Sequence, residues 1–461
     1  MEPGINSESP SSEGSEPKEN QKTEAVAVAT HSARLRPTFD QKKLHIQQTD
    51  ESSPLYSIKA FEELGLPEKL LKGVYDLKYQ KPSHIQEVAL PAIMHKPLEH
   101  FIGQAQSGTG KTAAFSLSML HRVNSSNKFP QALCICPTRE LSRQIADAVR
   151  ALAKFTDIEI YLAIPGCELP ASGCLTEHVV IGTPGTVWSM IKSRKFLVKN
   201  ISIFVIDEAD KMINLVDDLW RTTENIRKSL DKHCQICLFS ATYSEQVRRH
   251  AEKLVPVVPG RTVITLEPEQ LSLDKIQEMV IDCKDQELRY KILTQILPYA
   301  NVGSTIVFVR TTKTAEELGK RLVQDGFPVS IIHGGKDMSP SLRDRVMDDF
   351  RNFRTRILVA TDVLSRGIDV SEVTLVLNYD LPVDKFGEPD PETYLHRIGR
   401  SGRFGRDGLA INFVHNSRTK EQLESINNFL KGSAALGKKR EITELKESEI
   451  SKLEQMLDEL E

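Results

Sequence analysis

Short apolar runs separated by polar-faced helical stretches recur along most of this chain. Residues 132–136, 179–182, 203–206 and 235–239 are four such runs in the first half, and 305–309, 329–332, 356–360 and 374–377 repeat the theme in the second. A short run that stays apolar, with no alternation, suits a strand covered on both faces; the helix predicted over 139–152 supplies part of that cover. The pattern therefore predicts an α/β fold with two parallel-sheet domains. A break over 255–260 and a polar stretch at 267–274 separate them, the latter reading as a short linker. In such sheets ligands sit beyond the carboxyl ends of the strands.

Both ends depart from this rhythm. Residues 1–53 are rich in Ser, Glu, Pro, Lys and Gln, and are expected to be a disordered N-terminal extension, with a less polar patch around Phe39, Leu44 and Ile46. Residues 54–266 form the first domain and 275–431 the second. A charged tail, 432–461, carries a helical stripe of Ile442, Leu445, Ile450, Leu453, Leu457 and Leu460.

Composition adds exclusions. Net charge is −3, so polyanions are not bound through a global basic field, which leaves room for a local groove. No apolar run is long enough to cross a bilayer, and the N-terminus lacks the plan of a signal peptide, so a soluble intracellular protein without membrane insertion is expected. Seven cysteines show no disulfide rhythm, and Cys234-x-x-Cys237 has no matching second pair, which favours buried thiols over a metal site.

The chemistry starts at Ala105-Gln106-Ser107-Gly108-Thr109-Gly110-Lys111-Thr112, between a strand end and a helix. Gly108 and Gly110 let backbone N–H groups close on an anion, and the helix N-terminus adds its dipole. Lys111 would reach the β- and γ-phosphates, while the Thr112 hydroxyl would ligate Mg²⁺. Ala105 stands where the general phosphate-loop pattern has its first Gly. Beyond the strand at 203–206 come Asp207-Glu208-Ala209-Asp210. Asp207 would hold Mg²⁺ through water, and Glu208 would orient or deprotonate the attacking water.

Together these motifs resemble the DEAD-box RNA helicases, over about Phe61 to Val414. The resemblance implies two RecA-like domains and an RNA-stimulated ATPase that uses ATP and Mg²⁺. Phe61 and the segment ending at Gln86 resemble the family's adenine-reading elements, the ring stacking and the amide pairing with the base. Pro137, Thr138 and Arg139, then Thr183 and Gly185, resemble RNA-backbone motifs, and Arg310, Arg343 and Thr361 are their second-domain counterparts. Ser240 and Thr242, with Asp210 and His396, resemble the residues that couple hydrolysis to RNA. Asp369 would meet the ribose, and Arg400 and Arg403 the γ-phosphate from across the cleft. Departures are Thr186 in place of an Arg, Ile164-Pro165-Gly166 near the usual Gly-Gly, and Pro340 in place of a Gln.

The long loop from Asn378 to His396 is similar to the nuclear-pore-associated mRNA-export branch. That resemblance implies a monomer at the cytoplasmic face of the pore, in cytoplasm and nucleus. It also implies as partners a nucleoporin and an export cofactor with inositol hexakisphosphate, and a regulatory N-terminal extension. Three other readings share these features: a non-catalytic ATP-dependent RNA clamp, a DEAD-box helicase acting in translation, and a DNA translocase. ATP turnover with and without RNA separates the first, and RNA–DNA competition the last.

Overall fold

The structure, a computed structural model, describes residues 57–96, 98–105, 108–167, 173–213, 218–242, 245–256, 260–266, 276–298, 303–335, 337–364, 373–401, 408–432 and 441–458, and the backbone of 44–48. Most of the expected N-terminal extension and the whole linker 267–274 lie outside them.

Two sheets carry the chain. The first has eight strands, in spatial order β1 (Leu44–Gln48), β8 (Arg261–Leu266), β2 (His100–Gln104), β7 (Gln235–Ser240), β6 (Ile203–Ile206), β3 (Ala132–Ile135), β5 (Val179–Gly182) and β4 (Ile160–Ala163). Every neighbour pair is parallel except β1 with β8. The second sheet has seven strands, all parallel: β11 (Val329–Ile332), β12 (Ile357–Ala360), β10 (Ser304–Phe308), β13 (Val373–Asn378), β14 (Gly408–Val414), β9 (Ile276–Asp282) and β15 (Ile442–Glu444).

The unbroken apolar runs are explained by burial on both faces. In β6, Ile203 and Val205 join one core while Phe204 and Ile206 join the other, all four fully buried. The second sheet repeats this, with Val307 on one face of β10 and Ile306 and Phe308 on the other. The helix Arg139–Ala153 covers the first sheet; the Thr138 hydroxyl caps it by accepting from the Leu141 N–H at 3.2 Å, and its Leu141, Ile145, Val149 and Leu152 face the core.

Two boundaries move. Leu44–Gln48, inside the stretch expected to be disordered, pairs antiparallel with β8 as an edge strand. The charged tail is also part of the second domain. Its stripe divides, Ile442 entering β15 beside β9, and Leu445, Ile450, Leu453 and Leu457 filling the core under the second sheet. Leu460 lies outside the described residues. Leu453→Ala is expected to destabilise the second domain by about 3 kcal/mol, because a fully buried leucine leaves a cavity; a thermal melt unchanged from the parent would show that the tail adds nothing to that core.

Candidate active site

Parallel sheets bring the motifs together at one edge. The phosphate loop follows β2, Pro137–Arg139 follow β3, Thr183–Gly185 follow β5, Asp207 follows β6, and Ser240 ends β7. In the second sheet Arg310 follows β10 and Thr361 follows β12. All are carboxyl ends, where backbone N–H groups and helix starts are free to serve a ligand.

The phosphate loop is built as its glycines predict. Gly108 has φ 83° and Gly110 φ 98°, and Gly110 caps the helix Lys111–Arg122. A Cβ on Gly110 would come within 2.4 Å of Gln86 Nε2 and 2.8 Å of Ser83 Oγ. Those two side chains hold the loop: Gln86 Nε2 donates to the Gly110 carbonyl at 3.0 Å and Ser83 Oγ to the Thr109 carbonyl at 2.7 Å. Gln86 Oε1 accepts from the Ser83 N–H at 3.0 Å, so one amide links adenine-motif and loop backbones. Ala105 is buried, its N–H bonded to the Ser240 carbonyl at 3.0 Å, so an alanine methyl is accommodated there. Gln106 and Ser107 lie outside the described residues.

Phe61 is placed differently from its expected role. It is fully buried in the first core and presents no ring face to a base. Tyr79, 40% exposed and four residues before Ser83, is an aromatic the sequence reading passed over.

Around Lys111 the charges are dense. Its ammonium donates to the Ala105 carbonyl. Burial lowers its pKa, against the pull of Glu208, Asp207 and Asp210, and with Arg400 adding to the lowering. Burial, then the neighbouring Glu208 carboxylate, pushes Asp207 up to about 7. Glu208 is 5% exposed and sits at φ 51°, left-handed for a non-glycine residue. Its Oε2 is buried without a hydrogen-bond partner.

His396 crosses from the second domain into this cluster. Its Nε2 lies 3.2 Å from Asp210 Oδ2 and its Nδ1 3.8 Å from Glu208 Oε2. Asp210 Oδ1 in turn lies 2.8 Å from Ser240 Oγ, which is 2.6 Å from the Thr242 carbonyl. All four residues expected to couple hydrolysis to RNA are thus one contact chain spanning both domains. Arg400, 1% exposed, donates Nε to the His396 carbonyl at 2.9 Å and is close enough to depress Lys111. Arg403 and Asp369 lie outside the described residues.

The sequence reading also passed over Arg397. This wholly buried guanidinium donates Nε to Asp362 Oδ1 at 2.7 Å and Nη1 to Asn378 Oδ1 at 3.1 Å and the Asp380 carbonyl at 2.6 Å. It fixes the helix Pro391–Ile398 that carries His396. The signal is its place between His396 and Arg400, both singled out by the sequence. The thiols of Cys234 and Cys237 are buried with raised pKa values, as expected of structural cysteines.

The RNA-motif residues stand around the same edge. Thr183 precedes the helix Pro184–Lys192, its Oγ1 3.3 Å from Thr186 Oγ1, and Gly185 has open space about it. The Arg310 N–H donates to Asp380 Oδ2 at 2.8 Å, and Thr361 is buried with its N–H on the Ile332 carbonyl at 3.2 Å. Arg139 and Arg343 are both engaged with carboxylates of the opposite domain.

Residues 83–250 match the DEAD/DEAH box helicase family, and residues 288–405 the helicase conserved C-terminal domain. The chain is 46% identical over 384 residues to the ATP-dependent RNA helicase DBP5 of Lodderomyces elongisporus, covering 83% of this chain and 74% of that one. It belongs to the DEAD/DEAH box helicase family. Membership makes it an ATP-dependent RNA helicase, with the nucleotide use that activity requires. Among solved structures it is similar to S. cerevisiae Dbp5 bound to RNA and ADP BeF3, at 41% identity and TM-score 0.81 over 87% of this chain and 100% of that one. A variant of the same yeast protein bound to Nup159, a Gle1 variant, IP6 and ADP matches at 39% identity and TM-score 0.59, over 86% and 99%. The domain arrangement is thus nearer the RNA-bound form. Among the described residues no helix is long and apolar enough to cross a membrane.

Proposed function

We propose that this chain hydrolyses ATP in the cleft between its two sheets when RNA holds them closed, and so remodels RNA or ribonucleoprotein during mRNA export. The observation that carries this is His396 of one domain lying against Asp210 and Glu208 of the other. ATP and RNA would each bridge the domains, so each favours the closed state for the other.

The residues fit a magnesium nucleotide: a loop open to an anion at Gly108, an acid pair in which burial and then the neighbouring Glu208 raise Asp207, and a Glu208 oxygen without a hydrogen-bond partner. Mg²⁺ held by Thr112 and Asp207 would neutralise charge developing on the phosphates. Lys111 binds the β- and γ-phosphates, Glu208 accepts the proton of the attacking water, and Arg400 steadies the γ-phosphate with Arg403. Asp369 meets the ribose, and the exposed Tyr79 offers a ring to the base. RNA phosphates are met by Pro137, Thr138, Thr183, Gly185, Arg310 and Thr361. Nup159 and Gle1 with IP6, the partners of the yeast protein, mark a nucleoporin and an export cofactor as this chain's partners at the pore.

Steady-state ATP turnover with and without RNA tests the reading. RNA is expected to raise turnover, and Lys111→Ala to cut it on the order of a hundredfold or more with the fold intact. Turnover indifferent to RNA, or near normal in the Lys111 variant, would overturn it.

A further inference from the structure

Two helix starts that the sequence assigns to RNA face each other, each an arginine followed by an acid, and they pair crosswise. Arg139 and Glu140 open the helix Arg139–Ala153 of the first domain, and Arg343 and Asp344 lie near the start of the helix Pro340–Arg351 of the second. Asp344 Oδ2 accepts from Arg139 Nη2 at 2.7 Å, and Asp344 Oδ1 is 2.6 Å from Arg143 Nη1. Arg343 Nη1 stands 3.6 Å from Glu140 Oε1, itself nearly buried. The Pro340 ring also comes near here, since a Cβ on Gly166 would lie 3.9 Å from its Cγ. Arg139 completes its fork by donating to the Pro165 carbonyl beside Gly166.

We propose that Asp344 is a positioning residue for domain closure, a carboxylate latch that grips Arg139 and Arg143 across the cleft. The inference rests on the closure mechanism proposed above. One carboxylate that uses separate oxygens for two guanidinium groups defines a single relative placement of the helices. The three side chains are only 12%, 26% and 24% exposed, so water screens them less than a surface pair. Opening the cleft breaks both contacts together, so the latch counts wholly toward the closed state. It also gives Arg139 a partner other than RNA. A decoy carboxylate that competes with phosphate for Arg139 would have the opposite effect on RNA affinity, which makes the sign of the result decisive.

The test uses the full chain, with ATP turnover titrated against poly-uridine RNA in Asp344→Asn, Arg143→Gln, the double variant and Asp344→Glu. Each single neutralisation is expected to raise the RNA needed for half-maximal stimulation about tenfold. The double variant should be no worse than either single one, and Asp344→Glu should recover much of the loss. RNA-free turnover, nucleotide affinity and melting temperature should stay at the parent values, as a packing defect would not allow. Arg143→Gln reads the same bridge from its other end if Asp344→Asn folds poorly. Compaction on adding ADP–beryllium fluoride and RNA, followed by small-angle scattering, reads the latch without relying on turnover. Unchanged or tighter RNA dependence in Asp344→Asn, additive losses in the double variant, or parent-like compaction would overturn the latch. A parent chain whose turnover ignores RNA would instead overturn the proposed function.

Discussion

Glu208→Gln is expected to slow RNA-stimulated ATP turnover by a factor of about 10²–10⁴ while ATP and RNA still bind. The carboxylate is aimed by its backbone: at φ 51° Glu208 opens the helix Ala209–Met212, its carbonyl accepting from the N–H groups of Lys211 and Met212. Holding a non-glycine residue there costs on the order of 1–3 kcal/mol, which the surrounding structure must offset. The reward is a buried oxygen, Oε2, with no hydrogen-bond partner and His396 Nδ1 at 3.8 Å. Such an acceptor is available to a water's proton. Glutamine keeps the shape and loses the basicity, so the variant should close on ATP and RNA and stall. Nucleotide binding by fluorescence, paired with single-turnover hydrolysis, checks this. Loss of ATP affinity would show that Glu208 organises the acidic turn rather than the water.

How much of this could be read beforehand differs from element to element. Strands buried on both faces, such as β3, β5, β6 and β12, announce themselves as unbroken apolar runs. Strands β9 and β14 do not, because polar side chains sit inside them for reasons only the tertiary structure supplies. Asn412 of β14 bonds Asn378 and Tyr394, and Tyr394 bonds Glu278 of β9, a buried polar chain across three strands. Strand β8 lay hidden behind the Pro-rich stretch before Gly260, and β15 inside a stripe that reads equally well as helix. Leu44–Gln48 forms a strand only because β8 offers an edge, which local composition cannot reveal. At the site, glycine spacing and the acidic turn are local signals, and the structure brings Lys111, Asp207 and Glu208 close together. Residues that act by spanning the cleft are less legible. Asp344 and Arg143 carry no motif of their own, and Arg139 acquires its carboxylate partner only when the domains meet. An aromatic near the adenine segment can serve the core or the base, and for Phe61 burial decides for the core.

Arg400→Ala is expected to lower RNA-stimulated turnover about a thousandfold, with a much smaller effect on nucleotide affinity measured without RNA. Arg400 hangs from the second domain by its Nε–His396 carbonyl bond, yet its charge is felt by Lys111 of the first. It therefore belongs to the same group of charges around Lys111 as Asp207, Glu208 and Asp210, the group that His396 meets from the second domain. A guanidinium delivered by closure meets charge that grows on the γ-phosphate during transfer, where a fixed cation acts on the transition state more than on bound ATP. Arg400 is almost fully buried, so alanine also removes packing. Arg400→Lys separates the two effects: it keeps a long stem and the charge but loses the planar fork. If geometry matters, lysine should restore the melting temperature and leave most of the turnover defect. Fluorescent-nucleotide binding without RNA and turnover with saturating RNA are the paired measurements. Equal losses of affinity and turnover in the absence of RNA would mean that Arg400 already binds ground-state ATP in the open protein. Closure would then deliver nothing new to the γ-phosphate, and RNA would have to stimulate hydrolysis by some route other than the arrival of this arginine.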